Sequence, residues 1–340
     1  MAENSNIEWT DHTFNGWIGC TKISAACDNC YAENWGKRFG VEWGAGKERR
    51  LTSDAYWRKP LAWNRKAAKE GTRPKVFANS LSDVFDAEVS DEWRDRLFAL
   101  IALTPNLDWL VLTKRPKVAR DYLTAEDRDE AIGFAAHEAC EQRGADYHRV
   151  SALLHKGHSP DGSWPLPNLW LGTTVENQAM AELRIPLLLD TPSAKRFLSC
   201  EPLIGPIKLD AAWPRARAIA GAGIDLVIAG GESGKGSRPS HPDWFRGLRD
   251  QCDAAGVPFF FKQWGDWLPW EEGSVPEWMS QTGQTQDSHT LFPAFIEDDP
   301  KWDDGLAFVI EGEPFATFQL VGKKAAGRLL DGREWSEMPT

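Results

Sequence analysis

Seven short apolar runs recur along the chain, and most end in polar or glycine residues. They are FNGWIG (14–19), KVFANSLSD (75–83), LDWLVLTKRP (107–116), NLWLGTTVEN (168–177), KRFLSCEPL (195–203), DLVIAGGES (225–233) and VPFFFKQWG (257–265). Continuous apolar runs of this length predict buried parallel strands whose C-terminal ends open onto a site. Helical patterns lie between them. Residues 90–103 have Ser90 as N-cap, acids in the first turn and Trp93, Leu97, Leu100 and Ile101 on one face. Residues 240–256 start near Pro242, carry a Trp244, Phe245, Leu248 and Cys252 stripe, and stop at Gly256. The alternation predicts an α/β chain built as a βα-repeat, either a partial (β/α) barrel or a doubly wound sheet.

Two stretches break the rhythm. Residues 124–164 are polar, with helical character at 125–143, and read as an insertion. Its His137, His148, His155 and His158 read as solvated surface ahead of a zinc site. Beyond 265 the repeat stops. Residues 266–340 form an irregular, Trp-containing extension, closed by a strand and a glycine-bounded turn or short helix at 315–332. The expected division is a barrel domain over 1–265 and an acidic extension over 266–340 packed on it.

Composition sharpens this picture at the ends. With 340 residues, 42% hydrophobic and 26% charged, the chain has ample length for a buried core. No apolar run reaches a membrane span, and the first residues lack a basic start and an apolar stretch, so no signal peptide and a cytoplasmic location are expected. Three clustered and three scattered cysteines fit a reducing compartment. The net charge of −11 conceals a segregation. Residues 36–75 carry twelve Lys and Arg against four acids, interleaved with Trp35, Phe39, Trp43, Tyr56, Trp57 and Trp63, whereas 266–313 carries twelve acids against Lys301 alone. Cations alternating with rings are the footprint of a nucleic-acid groove; a solvated helix surface with its rings turned inward has the same composition.

The strongest chemical signal is CTKISAACDNC (20–30), with Cys20, Cys27 and Cys30 spaced C-x6-C-x2-C directly after the first predicted strand. A structural zinc site wants four nitrogen or sulfur ligands, and only His12 stands nearby as a fourth. An iron–sulfur cluster held by three thiolates leaves one iron open for chemistry. The position, after a strand of a βα-repeat, is where such sheets place their sites.

Here the chain resembles the radical S-adenosylmethionine superfamily, and within it a phage- and prophage-associated branch of unknown function marked by three cysteines. The matching stretches are GWIGCTKISAACDNCYAE, FANSLSDVF, LVLTKRP, LGTTVENQ, FLSCEPLIGPI, IAGGESG, FFFKQWG and VGKKAAGRLLDGREW. The resemblance implies a partial (β/α) barrel and a [4Fe–4S] cluster on Cys20, Cys27 and Cys30. The amino and carboxylate groups of S-adenosylmethionine would chelate its open iron. One-electron cleavage would then give a 5′-deoxyadenosyl radical that abstracts hydrogen from a substrate. The commonest superfamily spacing is C-x3-C-x2-C, so this chain carries three extra residues in the first gap.

Other site residues follow from their places at strand ends. Ser80, Ser82 and Asp83 stand where the superfamily grips the ammonium. Gly230, Gly231 and Glu232 follow a later strand, form no P-loop register, and read as a cofactor- or substrate-facing turn. Glu176, Asn177, Ser199 and Glu201 are expected near the ribose and methionine, and Lys114, Arg115 and Lys262 at an anionic substrate. Cys200 is a candidate thiol for returning hydrogen to a product radical, set against the commoner buried structural cysteine. The expectation is therefore a radical enzyme acting on an anionic substrate, with nucleic acid suggested by 36–75. Its rivals are a non-catalytic nucleic-acid-binding module with a structural metal at the same cysteines, and a phage accessory protein whose acidic segment recruits a basic partner.

Overall fold

Seven parallel strands form one curled sheet, a half-barrel, in the order β1 (His12–Phe14), β4 (Lys75–Ala78), β5 (Asp108–Thr113), β6 (Leu169–Thr174), β7 (Lys195–Cys200), β8 (Leu226–Gly230) and β9 (Phe259–Gln263). The computed structural model describes residues 3–141, 166–209, 223–270 and 316–339. Six of the seven predicted strands take their places in the sheet. The first differs: the parallel strand is His12–Phe14, while β2 (Trp17–Ile18) turns away to pair antiparallel with β3 (Arg50–Leu51). Asn15 causes the break, since its side chain accepts from Leu81 N at 2.7 Å and donates to Ser80 Oγ at 3.0 Å. Gly16 follows with no room for a side chain, the Trp57 ring lying 2.7 Å from where a Cβ would stand.

Helices alternate with the strands: α1 (Tyr31–Arg38), α2 (Asp54–Trp57), α3 (Lys59–Glu70), α4 (Asp91–Ala102), α5 (Pro116–Leu123), α6 (Arg128–Glu141), α7 (Gln178–Leu189) and α8 (Pro242–Ala255). The predicted caps fall where expected for α8, with Pro242 in its first turn and Gly256 left-handed at φ 67°. Ser90 is the N-cap of α4 by backbone position, without a side-chain capping bond. Of the polar insertion, α6 lies within the described residues. His148, His155 and His158 lie outside them.

Strand periodicity sorts the core into two layers. One face carries Val76, Trp109, Leu171, Leu198, Val227 and Phe261 against helix residues such as Leu97, Leu188 and Phe245. The concave face carries Phe77, Leu110, Trp170, Phe197, Leu226, Ile228 and Phe260, closed by Trp9. Gly172 is obligatory there, because the Phe197 ring lies 2.3 Å from where its Cβ would stand. Toward the strand ends this apolar floor, extended by Leu112, gives way to Thr174, Ser199 and Lys262 at the rim.

Each outer strand is bridged by a neighbouring segment, which shortens the open edge of the sheet. Glu3 bridges His12 antiparallel at β1, and Ser336 bridges Phe260 at β9, where Phe261 N donates to Trp335 O at 3.0 Å. The extension begins as β10 (Trp267–Trp270), which pairs antiparallel with β11 (Thr317–Leu320) before α9 (Lys323–Ala326). Trp264 Nε1 donates to Leu329 O at 2.8 Å, fastening it to the end of β9. Most of the acidic run 266–313 lies outside the described residues.

Candidate functional site

A cavity opens at the C-terminal edge of the sheet, and Cys20, Cys27 and Cys30 all line it. Gly19, at φ 115°, donates to Leu81 O and delivers Cys20 beside the loop after β4. The six residues between Cys20 and Cys27 hold an anchor at Thr21 and a 3₁₀ turn at Ala25–Cys27. Cys30 is the N-cap of α1, without a side-chain capping bond. Ala32 of that helix packs with Ile18, Val41 and Leu81, fixing the far end of the loop.

Thr21 is held by charge. Its N–H donates to Asp86 Oδ2 at 2.9 Å, its hydroxyl accepts from Arg49 Nη2 at 2.7 Å, and its carbonyl accepts from Arg115 Nη2 at 2.7 Å. Arg49 and Asp86 pair at 3.1 Å with both side chains fully buried. Burial alone would raise the Asp86 carboxyl. The Glu88 N–H and the Arg115 and Arg49 guanidiniums overcome it and hold the group below the usual carboxylate range. Arg115 also reaches Asp83 at 3.0 Å and Cys20 Sγ at 3.8 Å. Burial, joined by the Asp83 charge, pushes the Cys20 thiol up to about 12 against the pull of Arg115.

A second set of contacts crosses the cavity. Glu232 accepts from Arg238 Nε at 2.9 Å and from Asn29 Nδ2 at 3.1 Å. Arg238 also donates to Ala25 O at 2.8 Å, and Asn29 donates to Gly236 O. The loop after β8 therefore clasps the 3₁₀ turn that carries Cys27. Its close packing explains Gly231, whose Cβ would stand 1.8 Å from Trp264 O.

The cavity also gathers Ser80, Ser82, Asp83, Lys114, Arg115, Ser199, Glu201, Gly231, Glu232 and Lys262. Several are already engaged. Ser82 Oγ donates to Trp17 O at 3.1 Å, and Asp83 accepts from Thr113 Oγ1, Phe85 N, Lys114 N and Arg115. Lys262 and Glu201 form an ion pair within the cavity. Lys114 forms no ion pair among the described residues. Four expected residues stand elsewhere. Cys200 faces the helix layer, and burial holds its thiol well above the ordinary pKa. Glu176 is buried against Arg184 at 2.8 Å, Asn177 caps α7 by accepting from Met180 N, and Gly230 lies in β8 beside Glu201. Arg49, Asp86, Asn29 and Arg238 carried no sequence signal, since each acts through a partner distant in the chain. Thr174 on β6 was also missed. Its buried hydroxyl lines the cavity without a partner among the described residues.

Among the described residues no group of three or more His, Cys, Asp and Glu is arranged to hold a metal ion. A cluster takes its three thiolates on three different irons, so its ligands need not converge on one point. The donor set fits on that chemistry: three cysteines without disulfides, on one loop, around one cavity. No described helix is long and apolar enough to cross a membrane.

Residues 4–339 match the model of a family described as "Protein of unknown function (DUF5131)", so the chain belongs to that family. No curated protein and no solved structure matches it.

Proposed function

We propose that this DUF5131 protein is a radical S-adenosylmethionine enzyme that holds a [4Fe–4S] cluster on Cys20, Cys27 and Cys30. The observation that carries the reading is the convergence of these cysteines on one cavity at the C-terminal edge of a parallel half-barrel. When bound, the cluster supplies the electron for reductive cleavage of S-adenosylmethionine. The chain's own residues have separable tasks. The loop presents the three sulfurs, and Arg115 with Asp83 and Asp86 fixes the backbone at Thr21. Ser80 and Lys114 present donors to the polar end of the cofactor, with Lys114 the cation available to its carboxylate, while Ser82, its hydroxyl donating to Trp17 O, braces the loop beside them. Thr174 and Ser199 offer hydroxyls deeper in the cavity, and the Glu201–Lys262 pair lies beside them. The five described cysteines are all free thiols, in keeping with a reducing cytoplasm.

Anaerobic reconstitution followed by iron and sulfide analysis tests the reading. The expected result is a brown protein that converts S-adenosylmethionine to 5′-deoxyadenosine when reduced, and a C20S/C27S/C30S variant that does neither. A protein that takes up zinc instead, and leaves the cofactor intact under reduction, would overturn it in favour of a structural metal site.

A further inference from the structure

The cations of residues 36–75 do not form one patch. Arg49 is turned inward onto Asp86, while Lys37, Lys47 and Arg73 pair with Glu33, Glu42 and Asp108. Tyr56, Trp57 and Trp63 are buried, so the rings of this part do not alternate with its cations at the surface. Two sets of side chains remain outside.

The first runs along α3. Pro60, Trp63 and Ala67 form its buried face, and Arg58, Arg65 and Lys69 form the ridge opposite, with Lys59 and Lys66 beside it. None of these five is in an ion pair among the described residues; the nearby acid Asp54 is taken by Arg96. At about 1.5 Å per residue the ridge from Arg58 to Lys69 is about 16 Å long. α2 and α3 follow β3, and β3 pairs with β2 immediately before Cys20, so the chain passes from the base of the cysteine loop to the ridge within two short elements.

The second set is aromatic. Tyr31 and Trp35 lie one turn apart on α1 and are 50% and 45% exposed, unusual for rings of this size. Tyr31 lines the cavity next to Cys30. Trp35 stacks on Phe39 at 6.2 Å between centroids, and the Arg38 guanidinium lies 4.9 Å over the Trp35 ring. Arg50 of β3 lies over Phe39 and donates to its carbonyl, bringing the shelf up to the β3 segment.

We infer that these two surfaces form a track for single-stranded nucleic acid, with phosphates along the Arg58–Arg65–Lys69 ridge and an unpaired base on the Tyr31–Trp35 shelf at the cavity mouth. Rings without a paired geometry to match, next to cations without acids, are the means by which proteins hold single strands. The inference names a substrate class for the proposed reaction and rests on that reading for its catalytic meaning; the binding itself requires no cluster.

The test is fluorescence anisotropy of a short fluorescein-labelled oligothymidylate against the full-length chain across a salt series. Neutralising the ridge in R58Q/R65Q/K69Q is expected to weaken binding and lower the slope of log K against log salt by about 2, at roughly 0.7 per phosphate lost. W35A is expected to weaken single-strand binding roughly tenfold and leave the slope unchanged. An unchanged slope in the ridge variant, or a W35A variant that binds as tightly as the wild type, would overturn the track. So would an oligothymidylate that fails to bind while polyglutamate does, which would mark the ridge as a site for an acidic protein. Binding in a chain that leaves S-adenosylmethionine intact sinks the proposed reaction and keeps the track. Cofactor cleavage without binding does the reverse.

Discussion

The near end of the cysteine loop and its middle are fastened by different means. At Thr21 the bonds come from Arg49, Asp86 and Arg115, charges with little or no exposure to water. At Ala25–Asn29 they come from Arg238 and Glu232, a pair that is one-third exposed on the arginine side. The two arrangements differ in what water can repair. A buried charge that loses its partner keeps its desolvation cost, whereas an exposed one recovers hydration. The first anchorage therefore belongs to the fold, and the second to the mobility of the loop within it.

Removing a charge from the buried anchorage is the most severe way to test this difference. D86N leaves Arg49 buried without a counter-charge and is expected to cost about 3–5 kcal/mol of stability. The check is the urea midpoint of the purified chain; a loss no larger than that of an exposed control such as D121N would place Asp86 outside the framework. Acid titrates the same bond. The folded pKa of Asp86 is depressed, so its contribution is fully present above the unfolded carboxylate value of about 4 and fades as pH falls through the lower folded value. The gap in urea midpoint between wild type and D86N is thus expected to be constant from pH 7 to about pH 5 and to close toward pH 2. A gap that widens on acidification would contradict the assignment.

These two anchorages also mark where the sequence stops being readable. The half-barrel was legible because parallel strands buried on both faces must be continuously apolar, and Leu110, Leu171 and Val227 are examples. The cysteines were legible because their spacing is local. Strand-end polar residues were legible as a class, but their assignments were not. Ser199 and Cys200 are neighbours that a period of two sends to opposite faces, and only the register, set by pairing such as Ser199 with Ile228, decides which faces the cavity. Glu176 and Asn177 look like rim residues until Arg184 and the first turn of α7 claim them. The basic stretch left two readings of its rings open: Trp57 and Trp63 serve the core, and the helical period that shows this also isolates the exposed ridge of α3. Arg238 meets Asp28 and Ala25 across more than two hundred residues, a distance no local pattern spans.

The clasp gives the smallest expected effect on stability and the most local one. R238Q removes the ion pairs to Glu232 and Asp28 and the bond to Ala25 O, all at the 3₁₀ turn. The guanidinium is partly solvated, but Glu232 is buried and keeps only the Asn29 and backbone bonds, so the loss of global stability is expected to be about 2 kcal/mol, below that of D86N. The local consequence is larger, since Cys27 is buried by that turn. Its alkylation by iodoacetamide in the metal-free protein, followed by peptide mass spectrometry, is expected to speed up several-fold in R238Q and hardly at all in a variant of equal stability altered far from the loop. Salt separates the anchorages once more. Raising ionic strength to about 0.5 M shortens the screening length below the ~8 Å of physiological solution. Wild-type Cys27 should then approach the labelling rate of R238Q, while the urea midpoint gap between wild type and D86N stays as it was. If salt instead narrowed the D86N gap and left Cys27 labelling untouched, the buried and solvated assignments of the two anchorages would have to be exchanged.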